Sequence, residues 1–282
     1  MITPTRTAWG FVLPALVLIA LVALVPMVWT AWESMHLHDL RLPWLGRPFV
    51  GLANYAEALD DARFVGAALR TSVFVAGSVV VELLLGLAFA FAMSRTRRAR
   101  GLVRVLVLMA WAVPTVVAAL IWRFIFEAAS AGTFSWFADP LAAWVPIVLA
   151  DAWKMTPFVA LLLLAGLESI DRSLYDAAAM DGASGWRQFR EITLPLLRPA
   201  LLVAVLFRAL DAFRVFDVIY VMTGGGPGTS TEPISLYTFN TLLQHLRFGY
   251  GSALSMLVFL ATFLIALGYI RLVGRNLLES RT

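Results

Sequence analysis

Apolar residues run along this chain in six stretches, at about residues 9 to 32, 71 to 94, 102 to 126, 143 to 166, 199 to 222 and 253 to 273. A helix needs roughly 20 mostly apolar residues to cross the hydrocarbon core of a bilayer, and each stretch reaches that length. Polar segments bearing Pro and Gly separate them. The pattern predicts an all-α integral membrane protein with six transmembrane helices, in which residues 1 to 282 form a single membrane domain. The first stretch is longer than a secretory signal's apolar region of about 7 to 15 residues, and no small-residue cleavage site follows it. It ends in Trp29, Trp32 and Glu33, so it reads as a retained helix.

The intervening segments differ in kind. Residues 33 to 70 mix Arg with Glu33, Asp39, Glu57, Asp60 and Asp61 and carry Pro43, Pro48 and Gly51, which predicts a loop with short helical pieces at most. Gly224, Gly225, Gly226, Pro227 and Gly228 suit either a close turn with a contact surface or a plain flexible loop. Residues 167 to 198 form an insert between the fourth and fifth stretches. There a short helix is expected from Ser173 to Ala179, with Leu174, Ala177 and Ala178 on one face. Gly182 tolerates the positive φ at which a helix can stop, and Ser184 can cap a second helix carrying Trp186 and Phe189. Pro195 is expected to end that helix, and Pro199 suits the first turn of the next span. Two short helices meeting at such an elbow present Met180, Ala183 and Trp186 as an apolar knob to a soluble partner, or else lie on the membrane as an amphipathic hairpin. The residues alone leave both readings open.

Composition supports the membrane assignment. Hydrophobic residues make up 61% and charged residues 14%, with a mean hydropathy of +0.83, whereas soluble domains are about 45 to 50% apolar and about 25% charged. Basic residues near span ends tend to remain cytoplasmic. With the N-terminus inside, thirteen Arg fall in inner segments, among them Arg95, Arg97, Arg98, Arg100, Arg172, Arg190 and Arg281, against five in outer ones. Both termini are therefore expected in the cytoplasm. The net charge of +4 and pI near 9.8 then reflect topology and anionic inner-leaflet lipid, with no call for nucleic acid.

Ionisable residues inside the apolar stretches carry the candidate chemistry. Arg208, Asp211, Arg214 and Asp217 recur every three residues in the fifth stretch. At about 3 kcal/mol each they outweigh what the apolar residues around them gain on insertion, about 0.5 kcal/mol apiece. These groups must pair, as the spacing permits for Arg208 with Asp211 and Arg214 with Asp217, or else face a watery interior. With Phe213, Phe216 and Tyr220 beside them they fit a sugar pathway, since sugars offer hydroxyls to charged groups and CH faces to rings; a structural ion-pair ladder fits too. Asp151, Trp153 and Lys154 repeat the pattern more weakly, the charged pair being spaced to neutralise itself. Glu82 and Arg123 stand alone, as partners of each other or of another subunit.

Several chemistries are excluded. The chain has no Cys, hence no disulfide and no thiolate site, and His36 with His38 lacks the further ligands a metal site needs. No GxxxxGK[ST] phosphate loop occurs, so ATP hydrolysis is not expected of this chain, and no catalytic constellation marks it as an enzyme. A self-sufficient secondary transporter stays possible on these grounds alone, although the two halves show no evident repeat.

The string Asp176, Ala177, Ala178, then Asp181, Gly182, Ala183, then Phe189, Ile192, Leu194, Pro195 and Pro199 resembles the EAA signature of permease subunits in bacterial ABC importers that depend on a substrate-binding protein. Asp176 departs from it, standing where Glu is commonest. Phe49, Val50, Gly51, Leu52, Asn54 and Tyr55, and TGGGP at Thr223 to Pro227 followed by Thr231 and Glu232, extend the likeness to the carbohydrate, maltose-type branch. From Thr156 to Gly225 the chain is most similar to the first permease subunit of trehalose importers. The resemblance implies a type I ABC importer permease fold in the bacterial plasma membrane. It implies that Asp176, Ala177, Ala178, Met180, Asp181, Gly182, Ala183 and Trp186 couple to an ATPase; the reading of the intramembrane polar residues puts Asp211, Arg214, Asp217, Phe213, Tyr220 and Trp153 on the substrate pathway. The implied partners are a second, similar permease subunit, two ATPase subunits that bind ATP and Mg, and an external sugar-binding protein or lipoprotein. Importers of disaccharides, oligosaccharides and glycerol phosphate share these signatures.

Overall fold

The computed structural model describes residues 4–96, 100–130 and 134–279. Arg97, Arg98 and Arg281, which enter the orientation argument, lie outside them. Among the described residues there is no strand, only two isolated bridges, His36 with Phe49 and Asp39 with Arg247. The helices are α1 Pro4–Ile19, α2 Val25–Glu33, α3 Ala53–Asp60, α4 Ala62–Arg95, α5 Arg100–Ala112, α6 Thr115–Ala129, α7 Trp144–Glu168, α8 Arg172–Met180, α9 Gly185–Gln188, α10 Leu194–Ala212, α11 Asp217–Met222, α12 Ile234–Phe239 and α13 Phe248–Glu279.

Five continuous helical segments are long and apolar enough to cross a membrane: Phe11–Glu33, Ala62–Arg95, Trp144–Glu168, Gly185–Ala212 and Phe248–Arg271. The remaining apolar stretch is a pair, Gly101–Ala112 and Thr115–Ala129, bent by 88°; counted as one broken span, it makes six. Pro114 causes the break. It disfavours helical backbone at Val113, and its own extended ψ of 138° makes it the N-cap of α6.

Two further expectations are corrected. The helix after the elbow does not end at Pro195. A π-turn at Phe189–Thr193 joins α9 to α10, with the Leu194 N–H bonded to the Phe189 carbonyl. That wide turn places Pro195 in the first turn after it, where its missing N–H and bulky ring are tolerated. Nor does the fifth span continue to 222. It stops at Ala212, and after the non-helical Phe213 to Phe216 the short α11 begins.

The chain divides into two compact units, Met1–Gly66 with Tyr237–Ala261 and Ala67–Leu236 with Thr262–Thr282. In the first, the expected loop of short pieces is held by buried polar groups. Asn54 Nδ2 donates to the carbonyls of Ser34 at 2.8 Å and His36 at 3.0 Å, and Ser34 Oγ meets the Tyr55 hydroxyl at 2.6 Å. Asp61 accepts from the hydroxyls of Tyr237 and, at 2.8 Å, Tyr250.

In the second unit α7 is central, packed against α5, α6, α10 and α11. Its buried Val159, Ala160, Leu163 and Leu164 join Ala90 and Met93 of α4 and Leu197 and Ala204 of α10. Small residues allow this closeness, as a Cβ added to Gly166 would lie 2.6 Å from the Cβ of Ala200. The glycine-rich segment is a closed turn: Thr231 Oγ1 donates to the Gly226 carbonyl at 2.7 Å, and the two threonine hydroxyls of Thr223 and Thr231 meet at 2.8 Å.

Candidate functional site

Two features of the second unit hold the candidate residues. The first is a cluster of charges at the end of α10. Arg208 is 1% exposed, yet every arm of its guanidinium is engaged. Nε and Nη2 grip the carboxylate of Glu82 on α4, the latter at 2.6 Å. Nη2 also reaches Asp151 on α7 at 2.9 Å, and Nη1 reaches Asp211 at 2.5 Å. The pairing of Arg208 with Asp211 agrees with their spacing; Glu82 and Asp151 come from elements far off in sequence. Arg123 takes Glu127, one turn on at 2.8 Å, instead of Glu82. Lys154 does not neutralise Asp151. Its ammonium donates to the carbonyls of Val113 at 2.5 Å and Trp111 at 3.2 Å, the groups left open where α5 ends and helix carbonyls lack partners.

Beside the cluster, α10 unwinds and a cavity of about 130 Å3 opens, lined by Thr115, Lys154, Asp151, Asp211, Arg214 and Asp217 with their neighbours. Irregular backbone at membrane depth is tolerated where it lines a watery space or is buried in protein; here it lines the cavity, with Ala212, Phe213 and Val215 buried. Asp211, Arg214, Asp217 and Tyr220 are exposed, and Phe216 stacks on Tyr220 with centroids 5.2 Å apart. Trp153 is half-exposed and meets Trp122 edge-on at 6.2 Å. Phe213 departs from the expected set, being 9% exposed and turned into the core. Arg214 and Asp217 form no ion pair among the described residues, because the helical register that would align them is lost between them. Charge here is thus divided between a buried brace and groups left available. Thr115 was not singled out by the sequence reading, though Pro114 in the third apolar stretch signals the break beside it; Lys154 was, but as the partner of Asp151.

The second feature is the elbow. Asp171 opens α8 by accepting from the Ser173 N–H at 2.9 Å. At its other end Gly182 takes φ +74°, so that the Gly182 N–H reaches the Ala179 carbonyl at 3.0 Å and the Ala183 N–H reaches that of Ala178 at 2.9 Å. Both bonds satisfy carbonyls a helix end leaves open. Ser184 caps α9 through the Arg187 N–H, and the Tyr175 hydroxyl meets Thr193 Oγ1 at 2.9 Å, tying the two arms together. Met180 is 90% and Trp186 70% exposed; Asp176, Ala177, Asp181 and Gly182 are exposed, and Ala178 and Ala183 partly so. The inward face of α8 is carried by Tyr175 and Ala178, while Leu174 and Ala177 look outward, a correction to the expected face. All eight expected coupling residues sit on this one projection.

Comparison with known proteins gives the family. Residues 64–282 match the family described as the binding-protein-dependent transport system inner membrane component. The trehalose/maltose transport system permease protein MalF of Thermococcus litoralis is 42% identical over 276 residues, covering 94% of this chain and 92% of that protein. The trehalose transport system permease protein SugA of Mycobacterium tuberculosis is 39% identical over 276 residues, covering 95% and 89%. In fold, the chain is similar to a chain of a bacterial alginate ABC transporter crystallised in complex with an alginate pentasaccharide-bound periplasmic protein, with a TM-score of 0.80 at 19% identity, covering 96% and 95%. The chain belongs to the inner membrane components of binding-protein-dependent transport systems and is a multi-pass, non-catalytic permease subunit with the type I ABC importer fold.

Proposed function

We propose that this permease imports a di- or oligosaccharide of the trehalose or maltose kind, taking its driving force through the elbow from a separate ATPase. The observation that carries the coupling reading is the elbow itself: a rigidly capped turn that holds Met180, 90% exposed, away from the body of the unit. In the proposed assembly residues 1–282 act as one permease domain with both termini in the cytoplasm. A second permease subunit completes the pathway, two ATPase subunits hold ATP and Mg, and an external sugar-binding protein or lipoprotein delivers the substrate. ATP-driven closure of the ATPases moves the elbow, and the elbow moves α7 and α10, to which its arms are joined. Asp211, Arg214 and Asp217 then offer hydrogen bonds to sugar hydroxyls, while Tyr220 and Trp153 offer ring faces. Substrate class rests on the relatives' names; the open charged and aromatic groups at the break in α10 support it.

Gly182→Glu tests the coupling. A side chain at position 182 meets open space, so the substitution leaves packing and insertion intact while straining the +74° backbone and adding charge to the projection. It is expected to abolish sugar-stimulated ATP hydrolysis in the assembled complex. Gly182→Asn, which accepts positive φ, is expected to retain much of it. Full stimulation in the Glu variant contradicts the docking role.

A further inference from the structure

At the root of the elbow lies a cavity of about 920 Å3, walled by the last turns of α4 and α7, the start of α8, and α9 with the π-turn after it. Part of the lining is aromatic and aliphatic: Phe91 and Phe189 meet edge-to-face at 5.8 Å, Trp186 lies 5.6 Å from Phe189, and Leu167 adds to the lining. The lining also carries Arg95 and Arg172, and neither has an ion-pair or hydrogen-bond partner among the described residues. Glu168 contributes the lining's carboxylate, and Arg104 already engages it at 2.7 Å. Arg104 Nε, moreover, is a buried donor without an acceptor. The lining therefore combines more guanidinium than carboxylate with a cluster of apolar and aromatic side chains.

That combination fits an amphiphilic anion. Guanidinium groups bind phosphate oxygens in a forked, charge-assisted geometry, and basic pockets between helices at the membrane face take anionic lipid headgroups. Arg95 ends the apolar helix α4, and Arg172 begins the elbow just beyond α7, so both lie at or just past the ends of helices long enough to cross a membrane. Inorganic phosphate shares the anion chemistry, but it fills a small part of such a volume and has no use for Phe91 and Phe189. We propose that this cavity binds the phosphodiester headgroup of an anionic phospholipid, Arg95 and Arg172 holding the phosphate and the aromatic wall the first methylenes of its chains. A headgroup seated there ties α4 to α8 and forms the floor on which the elbow rests.

Native mass spectrometry of the delipidated, assembled complex tests this, with titration by phosphatidylglycerol, phosphatidylcholine and inorganic phosphate in separate arms. Retention is read by mass and not through ATPase activity, so its failure is distinct from any failure of coupling. Phosphatidylglycerol is expected to be retained in preference to phosphatidylcholine, about tenfold less tightly in each of Arg95→Gln and Arg172→Gln. Arg190→Gln, which removes the same single charge outside the lining, is expected to leave retention unchanged. Gel filtration of each variant complex verifies assembly. Equal retention of the two lipids, insensitivity to both cavity variants, or displacement of phosphatidylglycerol by inorganic phosphate at matching concentration would overturn the assignment.

Discussion

One guanidinium, that of Arg208, satisfies Glu82 of α4, Asp151 of α7 and Asp211 of α10 together. Removing it strands carboxylates in an apolar interior, and breaking a buried pair from one side costs about 3–5 kcal/mol. Arg208→Leu is thus expected to lower the unfolding midpoint of the purified subunit sharply, whereas Arg214→Ala, at an exposed and unpaired residue, is expected to leave that midpoint in place and weaken sugar uptake. The reverse pattern, a stability loss at Arg214 with unaltered uptake, would assign the open charges to bracing. Asp61 allows a second test, in the other unit. Burial opposes its ionisation, but the hydroxyls of Tyr237 and Tyr250 and the N–H groups of Arg63 and Phe64 donate to the carboxylate and hold its pKa below the ordinary value. A lowered pKa contributes stability that is complete above the unfolded-state pKa and lost as pH falls through the folded one. The thermal midpoint should therefore drop on acidification below about pH 4, and Asp61→Asn should flatten that part of the profile. An unchanged profile in Asp61→Asn refutes the assignment. At this scale the sequence was half legible: the i,i+3 spacing exposes Arg208 with Asp211, while Glu82 and Asp151 carry no local sign that they share one partner.

Helices in this protein break where backbone polar groups find other uses. Pro114 marks one break openly. The end of α10 at Ala212 has no Pro or Gly to announce it, and the apolar pattern runs straight through, which is why the fifth stretch reads as continuous to 222. The structural reason is tertiary: the Val215 carbonyl, left without a helical partner, accepts from the Ser235 hydroxyl, and the Val221 carbonyl accepts from Arg123 Nη1 at 3.1 Å. Pro195 misleads in the opposite sense, since a π-turn carries the helix past it. Helix contacts, by contrast, follow residue size. A side chain at Gly166 would stand 2.6 Å from the Ala200 Cβ and 2.8 Å from Leu197 Cδ1, so Gly166→Val is expected to force α7 from α10 and cost about 1–3 kcal/mol. Thermal unfolding in detergent reads this directly. A neutral result would mean that the α7–α10 seam is slack, and that the elbow's motion is not passed on through it.

As a whole, the molecule is a multi-pass permease subunit with a projecting elbow. Hydrophobic lengths made the spans legible, and Gly182, Ser184 and their caps made the elbow legible, because both depend on local rules. What draws distant segments together was not legible: the four-residue charge cluster, and the Asn54 and Tyr55 contacts that order residues 33 to 61. The account stands on the elbow's contact with an ATPase, and the absence of cysteine from the chain offers a clean probe of it. Met180→Cys puts a single thiol on the projection, at a position 90% exposed in the isolated chain. In the assembled complex a thiol-to-amine crosslinker is expected to join this position to the ATPase subunit, with the yield changing when ATP closes the nucleotide sites. If position 180 crosslinks to no ATPase and is modified by a water-soluble maleimide as fast in the complex as in the free subunit, the coupling claim is contradicted.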